Sequence, residues 1–458
     1  MFLRAASLRT APHIALLPWR GDRDNVRAVP AAALAEAALP ELAPPTPSLA
    51  YRYAVLAAAS ATLFGGYYLY DSLGLVADLL KEGYRISDAQ YGFLSGVYSL
   101  AAVLVLLLGG AVIDRIGPKR AVLLFAAITA VAGVVIAIAP SYPVLLAGRF
   151  LLGIGSEPLC VAVSTVLARW FKGRELSFAF GLNLTIARLG SVAADRSPQW
   201  ARSAYETGGF ARPLWLAALI GLSCVVGGIL YYALEHGAER RYEQGLGPSG
   251  ATDKLTLSDL VAGFSARYWF VVGLCVTFYA AIFPFQSFAT KFFIEAHGTS
   301  RDEAGALLSY LPASAMIATP LFGLLVDRIG RRALIMMVGS LLIAPVYLMM
   351  SARGISLYLP VSLMGIAFSL IPAVMWPAVA YLVDPRRLGT AYALMTLLQQ
   401  IGVFTVSAAL GHVNDASHAS AANPAGYGLG MLMLTGLSLL GLMFAGFLYA
   451  AEKRTAAA

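Results

Sequence analysis

Two short stretches decide how this chain folds: "GGAVIDRIGPKR" at 109–120 and "FGLLVDRIGRR" at 322–332. In each, a glycine (Gly110, Gly323) and three apolar residues lead into Asp-Arg-Ile-Gly and then into basic residues. The runs on both sides are apolar for membrane-spanning length, and about 20 such residues cross a bilayer. Hydrophobic residues make up 59% of the 458 and charged residues only 13%, against about 25% charged in a soluble domain. The apolar runs are continuous, without the alternation of a β-barrel strand. The fold class is therefore an all-α polytopic membrane protein. The repeated loop implies duplicated halves related by an axis along the membrane normal.

The apolar runs along the chain make twelve spans, near 50–79, 88–113, 119–139, 142–168, 174–196, 213–235, 266–296, 301–326, 332–352, 355–383, 387–412 and 427–450. They group as six-helix bundles at 49–235 and 265–451, joined by a polar cytoplasmic linker at 236–264 and followed by a short tail, 452–458. Residues 1–48, rich in Pro, Ala and scattered Arg, read as a disordered cytoplasmic tail. They carry no apolar core or cleavage site of a signal peptide. The net charge of +8 crowds into loops on one side, which is the positive-inside pattern. It orients the chain in a lipid bilayer and excludes a nucleic-acid partner. Cys160, Cys224 and Cys275 all fall inside spans and read as packing residues. No metal spacing, cofactor loop or nucleophile–base set is present, so neither an enzyme nor a bound cofactor is expected.

The loop motif and the twelve-helix plan resemble the major facilitator superfamily. The resemblance implies a transporter whose halves rock about a central site. It also gives the loop residues Gly110, Asp114, Arg115, Gly117, Gly323, Asp327, Arg328 and Gly330 a role in conformational gating. Glycine permits close helix contact, and an aspartate can pair with arginine or cap a helix end. "RFLLGIG" at 149–155 resembles the family's second motif, which adds Arg149 to the gating set.

Charges inside the spans mark the candidate site, because each costs about 3 kcal/mol to bury unless paired or used. They are Asp71, Arg149, Glu157, Arg188 and Lys291. Glu157 lies about 12 residues, roughly 18 Å, from the basic end of helix 4, and Arg188 about 13 residues, roughly 19 Å, from the same end of helix 5. Opposite charges thus reach one depth, near the midplane. They either bind substrate or form a salt bridge joining the two helices; Arg149, two turns away, is a further candidate partner for Glu157. Helix 4 carries a polar or small stripe through Gly153, Glu157, Cys160 and Ser164, and Pro158 weakens it locally. Depth counting brings Tyr279, Trp376 and Gln399 to the same layer as substrate-binding candidates. Tyr67, Tyr68 and Asp71 form a stripe on helix 1, with Asp71 a candidate proton site.

An acid and a base at equal depth complement a zwitterion, since arginine grips a carboxylate through two parallel hydrogen bonds. "WFKGRELSFAFGLNLTIARLGS" (170–191), "FYAAIFPF" (278–285), "MWPAVAYLV" (375–383) and "LGTAYALM" (388–395) resemble the lysosomal dipeptide uniporter family. That resemblance implies that the acid of "GIGSE", Glu157, and the arginine of "ARLGS", Arg188, hold the peptide termini. The expectation is a monomeric uniporter of dipeptides or similar small zwitterions. The alternative is a proton-coupled transporter or antiporter of another metabolite or drug. The composition reads as bacterial, which points to a plasma membrane; in a eukaryote the resemblance would imply the lysosomal membrane.

Overall fold

The computed structural model describes residues 47–171, 175–206, 209–242, 264–352, 354–383 and 388–457. Among them twelve long helices follow in order. The first six are α1 Leu49–Ser72, α2 Asp88–Ile116, α3 Pro118–Ala137, α4 Tyr142–Phe171, α5 Leu176–Asp195 and α6, in two segments Ala211–Gly221 and Ser223–Tyr242. The second six are α7 Ala266–His297, α8 Arg301–Ile329, α9 in segments Arg332–Ile343 and Val346–Ser351, α10 Tyr358–Leu382, α11 Leu388–Ala416 and α12 Tyr427–Ala457. Eight of them are long and apolar enough to cross a membrane; the remaining four, α1, α2, α5 and α8, all give residues to the central cavity. Residues 1–46 of the expected tail 1–48, and residues 243–263 of the expected linker 236–264, lie outside the described residues.

Helix ends follow local chemistry. Ser87 caps α2 in a reciprocal box with Gln90, and Ser48, Ser265 and Ser300 cap α1, α7 and α8, each meeting an amide that the first turn leaves unpaired. The loop glycines of both repeats, Gly117 at φ 78° and Gly330 at φ 69°, end α2 and α8 in a conformation that a β-carbon disfavours. Helix 1 stops at Ser72, short of 79. The chain then passes through a 3-10 turn, Gly74–Val76, into a separate helix, Ala77–Tyr84, that carries Asp78, Lys81 and Glu82. α9 breaks at Pro345, where no amide is available to continue the ladder. α4 runs unbroken through Pro158, so the local weakening expected there does not interrupt it.

Packing partners repeat with a shift of six. α1 lies on α5 and α6 as α7 lies on α11 and α12, and α4 packs α2 and α3 as α10 packs α8 and α9. Between the two sets, α2 meets α11 and α5 meets α8. These contacts close at the end opposite the basic loops. There Asp78 pairs with Arg301 (2.5 Å), Asp302 with Arg202 (3.0 Å), and Asp88 with both Lys81 (2.5 Å) and Lys291 (2.7 Å). Asp415 accepts from the backbone amides of Asp88 and Ala89, each at 2.8 Å, thereby capping α2 from the other set. A β-carbon at Gly411 would overlap the Asp88 carbonyl oxygen, and one at Gly305 the Asp195 carbonyl oxygen. Glycine is what lets these backbones meet. Among the described residues no ion pair bridges the two sets at the basic end.

Candidate substrate site

A cavity of about 270 Å³ lies between the two sets of helices, near the lower bound of small-molecule sites, about 300–1,000 Å³. One wall is α1, α2, α4 and α5; the other is α7, α8, α10 and α11. Just beyond it toward the closed end, Ser95 and Ser287 bond at 2.6 Å and Tyr91 donates to the Ser287 carbonyl at 2.9 Å. The floor is thus sealed across the boundary.

Glu157 and Arg188 both line this space, as their matched depth predicts. They are not a salt bridge: among the described residues no ion pair joins them. Glu157 Oε1 accepts from the Tyr98 hydroxyl (2.9 Å) and from Gln400 Nε2 (3.3 Å). Its Oε2 has no protein hydrogen bond among the described residues. Arg188 is held by rings instead, its guanidinium 5.3 Å from the centroid of Tyr67 and 5.1 Å from that of Phe368. Its Nε is buried without a hydrogen-bond partner. Such stacking holds a cation in place but leaves its donors unspent, so an acceptor must come from solvent or ligand.

Of the weaker candidates, Tyr67, Asp71, Tyr279, Trp376 and Gln399 all face the cavity. Trp376 Nε1 donates to the Tyr279 hydroxyl at 3.2 Å, and Tyr279 stacks on Phe283 with centroids 5.4 Å apart. Gln399 accepts from the Cys275 thiol. Tyr68 does not line the cavity. One residue further along a helix is about 100° further round, and its ring is buried against Trp200 in the core, with centroids 6.4 Å apart. Asp71 shares the cavity with Arg188 without an ion pair between them.

Arg149 is only 2% exposed and donates to the Tyr70 carbonyl at 3.3 Å, with its guanidinium over the rings of Tyr70 and Tyr98. It is therefore not the ionic partner of Glu157; the Tyr98 ring stands between them. Lys291, the fifth intramembrane charge, belongs to the closed end. In the loop motifs, Arg115 and Arg328 are exposed at the basic end. The side chains of Asp114 and Asp327, and the surroundings of Gly110 and Gly323, lie outside the described residues.

Sequence reasoning missed Tyr98, Gln400, Phe368 and Gln286. Gln400, one of two adjacent amides, and Gln286 carried a signal, each an amide in an apolar helix, where a buried amide needs partners.

Comparison with known proteins agrees with this architecture. The Major Facilitator Superfamily profile matches residues 54–407. The lysosomal dipeptide transporter MFSD1 of Bos taurus is 32% identical over 414 residues, covering 88% of this chain and 87% of that protein. MFSD1 of Homo sapiens is 31% identical over 86% of each. Among solved structures, a bacterial homologue of the human lysosomal transporter Spinster, inward-facing and unoccupied, superposes with a TM-score of 0.69 at 17% identity, over 89% of this chain and 98% of that one. A mutant of the nucleoside transporter NupG gives 0.62 at 14% identity, over 86% and 99%. The chain is a multi-pass membrane transporter, not an enzyme, and belongs to the Major Facilitator Superfamily as a relative of MFSD1.

Proposed function

We propose that the protein moves dipeptides, or zwitterions of similar size, by alternating access, and that it works as a uniporter. Glu157 takes the ammonium of the substrate and Arg188 its carboxylate. The observation that carries this reading is that both groups line one cavity without pairing to each other. An arginine that pairs with no carboxylate among the described residues, in a low-dielectric site, is complementary to an acid brought in by the ligand, gripped through two hydrogen bonds. The aromatic wall of Tyr67, Tyr279, Phe283 and Trp376 suits the apolar parts of a peptide. The similarity to MFSD1 supports the same substrate class.

The closed end, opposite the basic loops, is the external one under the positive-inside rule, so this conformation is inward-facing. The gate residues there separate as the cavity opens to the other side. Asp71, in the same cavity as Arg188, favours proton coupling as the second reading: a carboxylate beside a substrate-binding cation can exchange its proton as the site loads.

Counterflow of a labelled dipeptide into proteoliposomes, with and without a pH gradient, tests both. Exchange that ignores the gradient and is lost in Arg188→Ala supports the uniporter. Exchange that follows the gradient and loses that dependence in Asp71→Asn supports coupling. Exchange untouched by Arg188→Ala removes the pair from the substrate site.

A further inference from the structure

We infer that Gln400 is a positioning residue for the amino end of the substrate, and that it acts on Glu157 from the opposite half of the transporter. This rests on the functional reading above. Glu157 is on α4, whereas Gln400 is on α11, and the bond between them, 3.3 Å to Oε1, crosses the cavity boundary. Tyr98 donates to the same oxygen at 2.9 Å. Two donors on one oxygen fix the plane of the carboxylate and leave Oε2 as the acceptor for a ligand. Gln400 is 7% exposed, and a buried amide without its partner is costly. It therefore has reason to hold Glu157 whenever the halves are together at this level.

The two donors differ in what they follow. Tyr98 is on α2 of the same half as Glu157, and its ring is fixed beneath the Arg149 guanidinium, 5.7 Å from the centroid. Its bond travels with Glu157. The Gln400 bond does not; it forms or breaks as α11 moves against α4. Glu157 is fully oriented only when α11 is near, so recognition of the ammonium depends on the arrangement of the halves. Arg188 has a parallel link through Phe368 on α10, but that contact is a ring face without direction and sets no acceptor geometry.

The test compares a free dipeptide with its N-acetylated form, which keeps the carboxylate and lacks the ammonium. Half-saturation and maximal exchange are measured in proteoliposomes for wild type, Glu157→Gln, Gln400→Ala and Gln400→Met; methionine keeps the length and removes the donor. Loss of a hydrogen bond to a charged group predicts about a tenfold rise in half-saturation for the free dipeptide in both Gln400 variants. The inhibition constant of the acetylated form stays unchanged. Equal changes for both ligands, or a change in maximal exchange alone, reduce Gln400 to a structural tie and overturn the inference. Should alanine fail to fold, the methionine variant carries the comparison. A wild type that exchanges no dipeptide, or a Glu157→Gln variant that still prefers the free over the acetylated dipeptide as strongly as wild type does, overturns the functional reading and this inference with it.

Discussion

Lys291 Nζ lies 2.7 Å from Asp88 Oδ2, with side chains 2% and 1% exposed. The pair joins α7 to the start of α2, across the two halves. Removing one member of a sealed pair costs about 3–5 kcal/mol, because the other charge stays buried. The two members are not equivalent here. Asp88 also holds Lys81 at 2.5 Å, while among the described residues Lys291 has only Glu295, at 3.5 Å, as its other acid. Burial alone lowers the Lys81 pKa, but Asp88 outweighs it and the net shift is upward from 10.5. A raised lysine pKa means that its contribution is present below that value and fades only as pH rises through it, so Lys81 stays charged between pH 5 and 8. Asp88→Asn, which leaves two ammonium groups facing each other, is therefore expected to lower the melting temperature more than Lys291→Met, which leaves Asp88 neutralised by Lys81. A thermal scan of both variants and the double variant checks this. Equal losses would mean that Lys81 does not share the charge.

The cap that Asp415 places on α2 is a second tie at the same end. Losing a helix cap typically costs about 1 kcal/mol, which shifts the ratio of closed to open end by about fivefold. Gly411→Val acts more strongly, since its side chain would meet the Asp88 carbonyl. A cysteine at Ser287, in a Cys160→Ser background, reports the opening by its reaction with a membrane-impermeant thiol reagent from the outside. The expected order of rates is Gly411→Val, then Asp415→Ala, then the unaltered end. A valine variant no faster than the parent would show that this contact does not govern closure.

Apolar runs made the spans legible, most plainly in the eight helices apolar enough to cross a membrane and less so in α1, α2, α5 and α8, which give residues to the cavity. The breaks in the helices were less visible. Pro345 announces itself, but Leu222 in α6 and the end of α1 at Ser72 depend on neighbours. The shared depth of Glu157 and Arg188 followed from counting residues at 1.5 Å each, and that estimate survives in the common cavity. Rotation about the helix axis did not follow so easily. It assigned Tyr68 to a face it does not occupy and left Tyr98 unremarked in an apolar run. Lys291 stood out as an intramembrane charge, yet its partner lies 203 residues away in sequence. No local pattern names such a partner.

Arg188→Lys is expected to behave like a deletion. The guanidinium lies between the rings of Tyr67 and Phe368, where a planar cation stacks and still offers a two-pronged edge to a carboxylate. An ammonium on a flexible stem loses both. Dipeptide affinity falls by at least tenfold, which is 1.4 kcal/mol, while the melting temperature changes little because no ion pair among the described residues is lost and the positive charge is kept. Binding measured by isothermal calorimetry, beside a thermal scan, separates these effects. Full affinity in the lysine variant would mean that Arg188 contributes charge alone.

Cys160 offers a probe that needs no engineering. It is half-buried and lines the cavity next to Glu157, whereas Cys224 and Cys275 are sealed in the core at 0% exposure. With the far end closed, a small thiol reagent reaches Cys160 only from the side of the basic loops. In inside-out vesicles the labelling is therefore expected at one site per chain, read by intact mass, and faster than in right-side-out vesicles. A saturating dipeptide slows it, since the ligand occupies the space beside Glu157. The Asp415→Ala variant narrows the difference between the two vesicle orientations, because it populates the open external end. Labelling at all three cysteines would show that the core opens to the reagent, and labelling at Cys160 that no dipeptide slows would place the substrate elsewhere than in this cavity.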